Sequence, residues 1–168
     1  MVALVPVQPC QAPLFHEMQV KAFASLLERY QDYDHSPGAE SLETVERKLA
    51  DPAVARAAFI QADEVPVGGI RVKYLDTEEK RRYLLSILFV LPEYRGRKIA
   101  QEAIRLAEQS LAPADQWQLI TIEQEPELRH LYEKMGYLPT GVRWNIHEGM
   151  DLIQYQKNFK PQGKERET

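Results

Sequence analysis

The chain has 168 residues, of which 44% are hydrophobic and 27% charged, the composition of a soluble globular domain with its own core. A formal net charge of −4 excludes a general affinity for nucleic acids or anionic membranes. A single cysteine, Cys10, excludes a disulfide framework and a Cys/His metal cluster, and no apolar run reaches the roughly 18 residues of a membrane helix. The first residues lack the pattern of a signal peptide, so we expect a cytoplasmic protein.

The first half of the chain predicts one strand, two helices and a hairpin. Ala3 to Val7 is a strand candidate. Apolar residues at helical spacing follow from Phe15 to Tyr30, and Ser41 is a suitable N-cap for a second, short helix. The polar residues 31–40 between the two helices predict a loop.

The hairpin that follows has strands over residues 57–61 and 65–75. Gly68 and Gly69 lie inside the second of these strands, where they indicate a bulge or a close backbone approach. A charged connection over residues 76–82 then leads into the next strand.

The rest of the chain is organised around its central strand, turn and helix. Leu84 to Val90 is an almost unbroken apolar run, typical of a strand buried on both faces. A basic turn containing a glycine follows, and from Ile99 the apolar residues recur at helical spacing. The helix therefore begins, with its free N–H groups and partial positive charge, beside Arg95, Arg97 and Lys98. This arrangement predicts a site for a phosphate-bearing ligand.

The last third of the chain predicts a strand, a short helix and a pair of strands. A strand covers residues 117–123, and a short helix runs from Leu128 to Met135, closed by Gly136 as a C-cap glycine. Residues 142–146 and 150–155 then form a final antiparallel pair.

The order of these elements predicts a mixed α/β fold. It contains one mostly antiparallel twisted sheet of about seven strands, with a central parallel β-α-β unit and helices on both faces. Ligands of such sheets bind at the carboxyl ends of strands, which places Val90 to Ala100 at the site independently of charge. We expect one domain over residues 1–159 and a charged, frayed tail over residues 160–168.

Two motifs lie in this framework. Arg95 to Ala100 reads RGRKIA, and Leu131 to Tyr137 reads LYEKMGY. The first resembles the pyrophosphate turn, Gln/Arg-x-x-Gly-x-Gly/Ala, of the GNAT superfamily of acyl-CoA-dependent N-acetyltransferases, with Lys98 in the place of the first glycine. The second is similar to the Leu/Phe-Tyr-Glu-Lys-x-Gly-Phe/Tyr motif of the same superfamily. The element order extends the resemblance over nearly the whole chain.

The resemblance implies the acyl-CoA N-acyltransferase fold and an N-acetyltransferase activity. The acetyl group would pass from acetyl-CoA to a primary amine by direct attack in a ternary complex. The acceptor amine belongs to a small molecule or to a protein, and the sequence leaves both open. The resemblance implies no metal, and it leaves a homodimer open.

The resemblance also implies where the cofactor binds. Its pyrophosphate would lie on the amides of the turn, with charge added by Arg95 or Arg97. Its pantetheine arm would bind like an extra strand, with an amide near Leu88 as donor to the oxyanion. The implied cofactor-binding residues are Leu88, Phe89, Val90, Arg95, Gly96, Arg97, Lys98, Ile99, Ala100 and Gln101.

Lys98 is the departure from the family turn. A positive φ would cost a lysine about 1 kcal/mol or more. Since a lysine is present, we predict a helical φ at Lys98, with its amide directed at a phosphate.

Two catalytic side chains are implied. Tyr132 stands at the tyrosine of the family motif, and a phenol with a pKa near 10 is a suitable proton donor to the departing thiolate; a core tyrosine is the alternative. Glu123, at the end of its strand, is the candidate base, with a solvated carboxylate as the alternative. Glu125 occupies a position at which many family members carry asparagine.

The acceptor side would be lined by the end of the first helix. Carboxylates there could bind a cationic amine, and an exposed acidic loop is the alternative. These residues are Tyr30, Asp32, Tyr33 and Asp34. We predict no catalytic role for the four scattered histidines, which are His16, His35, His130 and His147. The alternative to an enzyme is a module of the same fold that binds and senses acyl-CoA without turnover.

Overall fold

The protein is described by a computed structural model that covers residues 1–76 and 81–159. Four helices and seven strands occur in this part of the chain, joined by short turns, in the predicted order. They are β1 (Val2–Pro6), α1 (Ala12–Tyr30), α2 (Leu42–Leu49), β2 (Val54–Ala62), β3 (Val65–Asp76), β4 (Arg82–Val90), α3 (Ile99–Ser110), β5 (Gln116–Ile122), α4 (Pro126–Lys134), β6 (Leu138–His147) and β7 (Met150–Asn158). The predicted tail over residues 160–168, and most of the charged connection before β4, lie outside the described residues.

All seven strands form one sheet, in the order β1-β2-β3-β4-β5-β7-β6. Neighbouring strands are antiparallel, except that β4 and β5 run parallel. Helix α3 connects this parallel pair, because parallel neighbours need a long crossover. The predicted mixed α/β class, with a central parallel β-α-β unit, is confirmed.

The sheet has a hydrophobic core on each face. Helices α3 and α4 cover the larger core, which contains Ile104, Trp117 and Tyr137. Helices α1 and α2 cover the other, in which Phe15 lies edge-on to Phe89 with ring centroids 5.3 Å apart. A pair of helices therefore covers each face of the sheet. A ligand has room where these layers end.

Helices α1 and α2 begin and end as the sequence predicts, with one addition. The Ser41 hydroxyl accepts a hydrogen bond from the Thr44 amide at 3.1 Å and caps α2. Gln19 lies fully buried on the inner face of α1, where its amide nitrogen donates to the Pro37 carbonyl (2.9 Å) and to a Glu40 oxygen (2.8 Å). A polar side chain in the apolar stripe therefore fastens the 31–40 loop to the core.

The close backbone approach, one of the two alternatives predicted for the glycine pair in β3, is confirmed, and a bulge lies beside the pair. A Cβ at Gly68 would lie 2.1 Å from the Phe89 carbonyl oxygen, and one at Gly69 would lie 2.5 Å from the Phe89 ring. The pairing of β2 with β3 shifts register at this point and leaves Val67 as an extra residue. The end of β4 can therefore pack closely on β3.

A second bulge changes the direction of the β4 side chains. Arg71 pairs with Ile87 and Val72 pairs with Leu85, so Ser86 is the extra residue. Leu85 belongs to the core under α3, whereas Ile87 belongs to the core under α1. The predicted strand is therefore buried on both faces, and the bulge at Ser86 reverses which side chains point to which core.

Candidate active site

The two parallel strands of the sheet separate at their carboxyl ends. Pairing of β4 with β5 covers residues 82–85 and 116–119 and stops there. Strand β5 continues toward Ile122 along β7, while β4 continues toward Val90 along β3. Among the described residues, no strand pairs with the β5-facing edge of β4 beyond Leu85. An open strand edge of this kind can accept an extended, amide-bearing ligand as an added strand.

A cleft of about 450 Å³ fills this fork. We call it the acceptor cleft. It is lined by the end of α1, the 31–40 loop, both strand ends, α4 and the start of β7. Its lining includes Leu88, Phe89 and Val90, three of the predicted cofactor residues, together with Tyr132.

A second cavity, of about 300 Å³, lies at the N-terminus of α3. We call it the turn cavity. Its lining contains six of the predicted cofactor residues in the turn, namely Arg95, Gly96, Lys98, Ile99, Ala100 and Gln101, and not Arg97. The two cavities share Val90, Arg95, Ala100 and Leu131, so they form one continuous groove.

The turn backbone is shaped to present its amides. The first hydrogen bond of α3 runs from the Glu102 amide to the Lys98 carbonyl at 3.1 Å. The amides of residues 99–101 precede this bond and have no acceptor within the helix. Gly96 and Lys98 both have positive φ, +78° and +60°. Such left-handed residues within a turn curl successive N–H groups into an anion-binding concavity.

The prediction of a helical φ at Lys98 is therefore wrong. Lys98 is the N-cap of α3 and is left-handed, with φ 60° and ψ 19°. The positive φ costs about 1 kcal/mol, and because Lys98 is exposed, no core packing is lost. Lysine is compatible with the family turn because the strain is local.

The arginines of the turn have different surroundings. Arg95 donates from Nε to the Val90 carbonyl (3.0 Å) and from Nη2 to the Ala22 carbonyl (2.6 Å). These bonds hold the turn against the end of β4 and against α1. The Arg97 guanidinium lies over the Tyr94 ring, 5.6 Å from its centroid, and Arg97 is exposed to solvent, as is Lys98. These two residues thus leave positive charge at the mouth of the turn cavity.

Tyr132 lies on the wall of the acceptor cleft and is 8% exposed. Its ring packs against Tyr137 and Tyr155, with centroids 6.3 Å and 6.4 Å away. Burial raises the pKa of the phenol to about 12. The hydroxyl therefore keeps its proton at neutral pH, as a proton donor must, and the ring also belongs to the core.

Glu123 is placed away from the cleft wall. Its carboxylate accepts a hydrogen bond from the Arg143 guanidinium, which also lies 3.4 Å from Asp151. Glu123 is not among the residues that line the acceptor cleft. Arg143 therefore occupies the Glu123 carboxylate, and the role of Glu123 as base stays a prediction.

Glu125 forms a contact across the mouth of the cleft. Its two oxygens accept hydrogen bonds from Nη1 of Arg29, at 2.9 and 2.7 Å, and one also accepts from the Tyr30 hydroxyl at 2.5 Å. Burial, followed by this carboxylate, raises the pKa of Tyr30. We call this contact the clasp, because it joins the end of α1 to the loop before α4.

The β6–β7 hairpin also contacts the end of α1. His147 places Nε2 2.7 Å from the Tyr30 carbonyl oxygen and Nδ1 2.9 Å from the Glu148 carbonyl oxygen. Both contacts are hydrogen bonds only when both ring nitrogens carry a proton. The carbonyls of Glu148 and of Tyr30 therefore raise the pKa of His147.

Comparison with known families agrees with this geometry. The sequence model of the acetyltransferase (GNAT) family matches residues 20–137. The chain belongs to the GNAT family. No curated protein matches the chain.

Solved GNAT structures share the fold over almost the whole chain. An acetyltransferase from Thermus thermophilus is 21% identical, with a TM-score of 0.72 over 95% of this chain and 97% of that one. The PaiA N-acetyltransferase of Thermoplasma acidophilum, solved in complex with coenzyme A, is 17% identical, with a TM-score of 0.66 over 95% and 99%. A spermidine N-acetyltransferase chimera of Vibrio cholerae SpeG and hSSAT is 18% identical, with a TM-score of 0.72 over 94% and 95%. At these identities the likeness establishes the GNAT fold.

Two negative findings apply to the described part of this GNAT chain. Within residues 1–76 and 81–159, no group of three or more His, Cys, Asp or Glu is arranged to hold a metal ion. None of the helices described has both the length and the apolar character that crossing a membrane requires.

The sequence predicts Asp32 on the acceptor side, and it misses the contact of Asp32 with His35, for which no catalytic role is predicted. Asp32 and His35 both line the acceptor cleft, and Oδ1 of Asp32 lies 3.0 Å from Nδ1 of His35. Oδ1 also accepts from the His35 amide at 3.2 Å. Tyr33 and Asp34, predicted beside them, are exposed and do not line the cleft. The signal was the Asp-x-x-His spacing in a polar loop, because an aspartate often bonds the backbone of a turn that follows it.

Proposed function

We propose that this GNAT protein transfers an acetyl group from acetyl-CoA to a primary amine by direct attack in a ternary complex. The observation that carries the proposal is the continuous groove. It joins a turn of free amides at the N-terminus of α3 to an open strand edge at β4. A phosphate-bearing head and an amide-bearing arm are the two parts of a ligand that such a groove fits.

The turn cavity suits the pyrophosphate. Gly96 and Lys98 direct their amides with positive φ, and the amides from Ile99 to Gln101 are free at the helix N-terminus. Arg97 and Lys98 supply exposed positive charge nearby. Arg95 stabilises the turn by donating hydrogen bonds to the Val90 and Ala22 carbonyls.

The acceptor cleft suits the pantetheine arm and the thioester. The backbone of Leu88 to Val90 would pair with the arm, and an amide near Leu88 would face the oxygen of the reacting carbonyl. Tyr132 would protonate the departing sulfur, because its phenol lines the cleft and stays protonated. The acceptor amine belongs to a small molecule or to a protein. The cytoplasmic location and the homodimer stay predictions.

The test is a pair of measurements on the full chain. Isothermal titration with coenzyme A measures binding, and thiol release from acetyl-CoA across a panel of primary amines measures transfer. We expect binding and amine-stimulated thiol release. Binding without release for any amine would favour the acyl-CoA-sensing module, and no binding would contradict both.

A matched pair of variants locates the binding site. Ala100 lines both cavities, so A100L should narrow the passage between them and weaken coenzyme A binding at least tenfold. Ala50, the exposed C-cap of α2, provides the control A50L, which should bind as the wild type does. Equal affinities for A100L and the wild type would place the cofactor elsewhere.

A further inference from the structure

Asp32 lines one wall of the acceptor cleft and has a carboxylate that is almost wholly buried. The Asp32 side chain is 5% exposed, and its Oδ1 is bonded to His35. Its Oδ2 has no hydrogen-bond partner among the described residues. In the part of the chain that the structure describes, Asp32 is the one residue with such an atom that also lines the cleft. A buried oxygen without a partner is costly, unless a ligand supplies the donor.

His35 faces the same cleft in a state suited to accept a proton. When Nδ1 donates its hydrogen to Oδ1 of Asp32, the lone pair is on Nε2, and the imidazole is a base whose orientation is fixed by the carboxylate. The His35 side chain is 57% exposed, so a proton taken up there can pass to water. The two residues together offer an anion and a base.

The other charged groups around this pair leave its free atoms available. Tyr30, on α1, is bonded to Glu125. Glu127, on α4, lines the cleft and adds negative charge. His147, on the hairpin, is close enough for the Asp32 charge to raise its pKa, yet its ring nitrogens face the Tyr30 and Glu148 carbonyls. Asp32 and Glu127 are therefore acidic side chains of the cleft lining, and Arg95 lines the cleft beside the turn.

We propose that Asp32 and His35 form the acceptor site, where the free oxygen of Asp32 binds a primary alkylammonium and His35 removes its proton. This inference rests on the proposed function and identifies the substrate class and the base. A free lysine-like ammonium titrates near 10.4, so a base is needed near neutral pH. An imidazole whose Nε2 lone pair is free can take this proton.

The proton balance of the reaction is complete with these groups. The ammonium gives one proton to Nε2 of His35, which passes it to solvent. The neutral nitrogen then attacks the thioester carbonyl carbon, a nitrogen–carbon bond forms and the carbon–sulfur bond breaks. Tyr132 donates its hydroxyl proton to the departing sulfur, and the second proton lost by the nitrogen restores the phenol. Each turnover releases one proton to solvent.

Binding of the amine is tested without turnover. The probe is n-butylamine, titrated into the chain saturated with coenzyme A, and 1-butanol is the neutral control ligand. We expect the wild type to bind the amine and D32N to bind it at least tenfold more weakly, with no such difference for the alcohol. D34N is the matched control variant, because Asp34 is exposed two residues away, and it should bind as the wild type does. Amine binding that survives D32N, or no amine binding by the wild type, overturns the acceptor site.

The base is tested by the pH profile of kcat. H35Q should lower kcat at neutral pH at least tenfold, should leave KM for the amine nearly unchanged, and should recover as the pH approaches the pKa of the free amine. H130Q is the matched control, since His130 is exposed on α4. If E123Q shows this behaviour and H35Q does not, Glu123 is the base and the inference is overturned.

The transferase proposal and the Asp32–His35 acceptor site can be contradicted independently of each other. If the wild type binds n-butylamine and coenzyme A but no amine stimulates thiol release, the transferase proposal fails and the amine site stands. If amines are acetylated but H35Q and D32N match the wild type, the transferase proposal stands and the Asp32–His35 site fails. Thermal unfolding of each variant confirms its fold, and H35Q retains the Asp32 side chain should D32N not fold.

Discussion

Tyr30 donates its hydroxyl to Glu125 at 2.5 Å, although 95 residues separate the two in the chain. Arg29 bonds both oxygens of the same carboxylate. The clasp therefore fixes the end of α1, and with it the 31–40 loop that contains Asp32 and His35, relative to the loop before α4. Glu125 thus places a carboxylate within hydrogen-bond distance of an arginine and a phenol.

Removing the clasp should loosen the acceptor cleft without unfolding the chain. Y30F removes one hydrogen bond to a carboxylate, and we expect a loss of about 1 kcal/mol in the free energy of unfolding, measured by urea denaturation. The KM for the amine should rise more than that for acetyl-CoA, since the clasp holds the acceptor side. The control is Y33F, because Tyr33 is exposed and its hydroxyl donates to Gln31, which lies outside the clasp. A double-mutant cycle of Y30F with E125Q should show coupling between the two positions, and additive effects would contradict the clasp.

The left-handed conformation of Lys98 yields a second prediction. K98G should raise the free energy of unfolding by up to about 1 kcal/mol, because glycine adopts positive φ without the steric cost. K98A keeps the strain and removes the ammonium, and its stability should match that of the wild type. If the turn acts through its amides, calorimetry should show coenzyme A affinities within a few-fold of the wild type for both variants. A matching tenfold loss in both would assign the affinity to the lysine charge instead.

Much of this fold follows from local sequence signals. Three local features each need a residue type that suits their conformation. They are the cap at Ser41, the close backbone approach at Gly68 and Gly69, and the helix end at Gly136, with φ 94°. The element order then determines the sheet, because a parallel pair needs the α3 crossover.

The site is less local, and the sequence predicts it incompletely. The fork between β4 and β5 depends on the Ser86 bulge, which depends on register with β3 rather than on serine itself. The Lys98 conformation went against residue preference because the surrounding turn imposes it. Strand position alone predicts Glu123 as the base, whereas its environment includes Arg143 from β6. Contacts between distant segments decide the first and the last of these three features.

His147 should make the stability of the hairpin depend on pH. Its folded pKa lies above the ordinary 6.5, so its bonds to the Tyr30 and Glu148 carbonyls stabilise the fold fully below about pH 6.5 and are lost as the pH rises through the folded pKa. An NMR titration should report a pKa above 6.5 for His147. H147Q should remove this part of the pH dependence of unfolding, and H130Q should not. A titration of His147 at or below 6.5 would show that one ring nitrogen is unprotonated in the folded chain.

Tyr132 should contribute to turnover and little to binding. Y132F removes a hydroxyl on the cleft wall and keeps the ring that packs on Tyr137 and Tyr155. We expect kcat to fall about 100-fold, as for loss of a general acid, with coenzyme A affinity and the free energy of unfolding nearly unchanged. Because its pKa is about 12, Tyr132 should add no basic limb to the pH profile near neutrality.

The control for this variant comes from the same aromatic cluster. The Tyr155 hydroxyl bonds Glu133 at 3.4 Å and does not line the cleft, so Y155F removes a hydroxyl at a similar depth without touching the predicted chemistry. We expect Y155F to turn over as the wild type does. An unchanged kcat in Y132F would reduce Tyr132 to a core residue, because the ring alone would then account for its burial. The same conclusion would follow if Y132F lowered the free energy of unfolding by as much as it raised the activation free energy of turnover. A proton donor acts in the reaction and not in the fold.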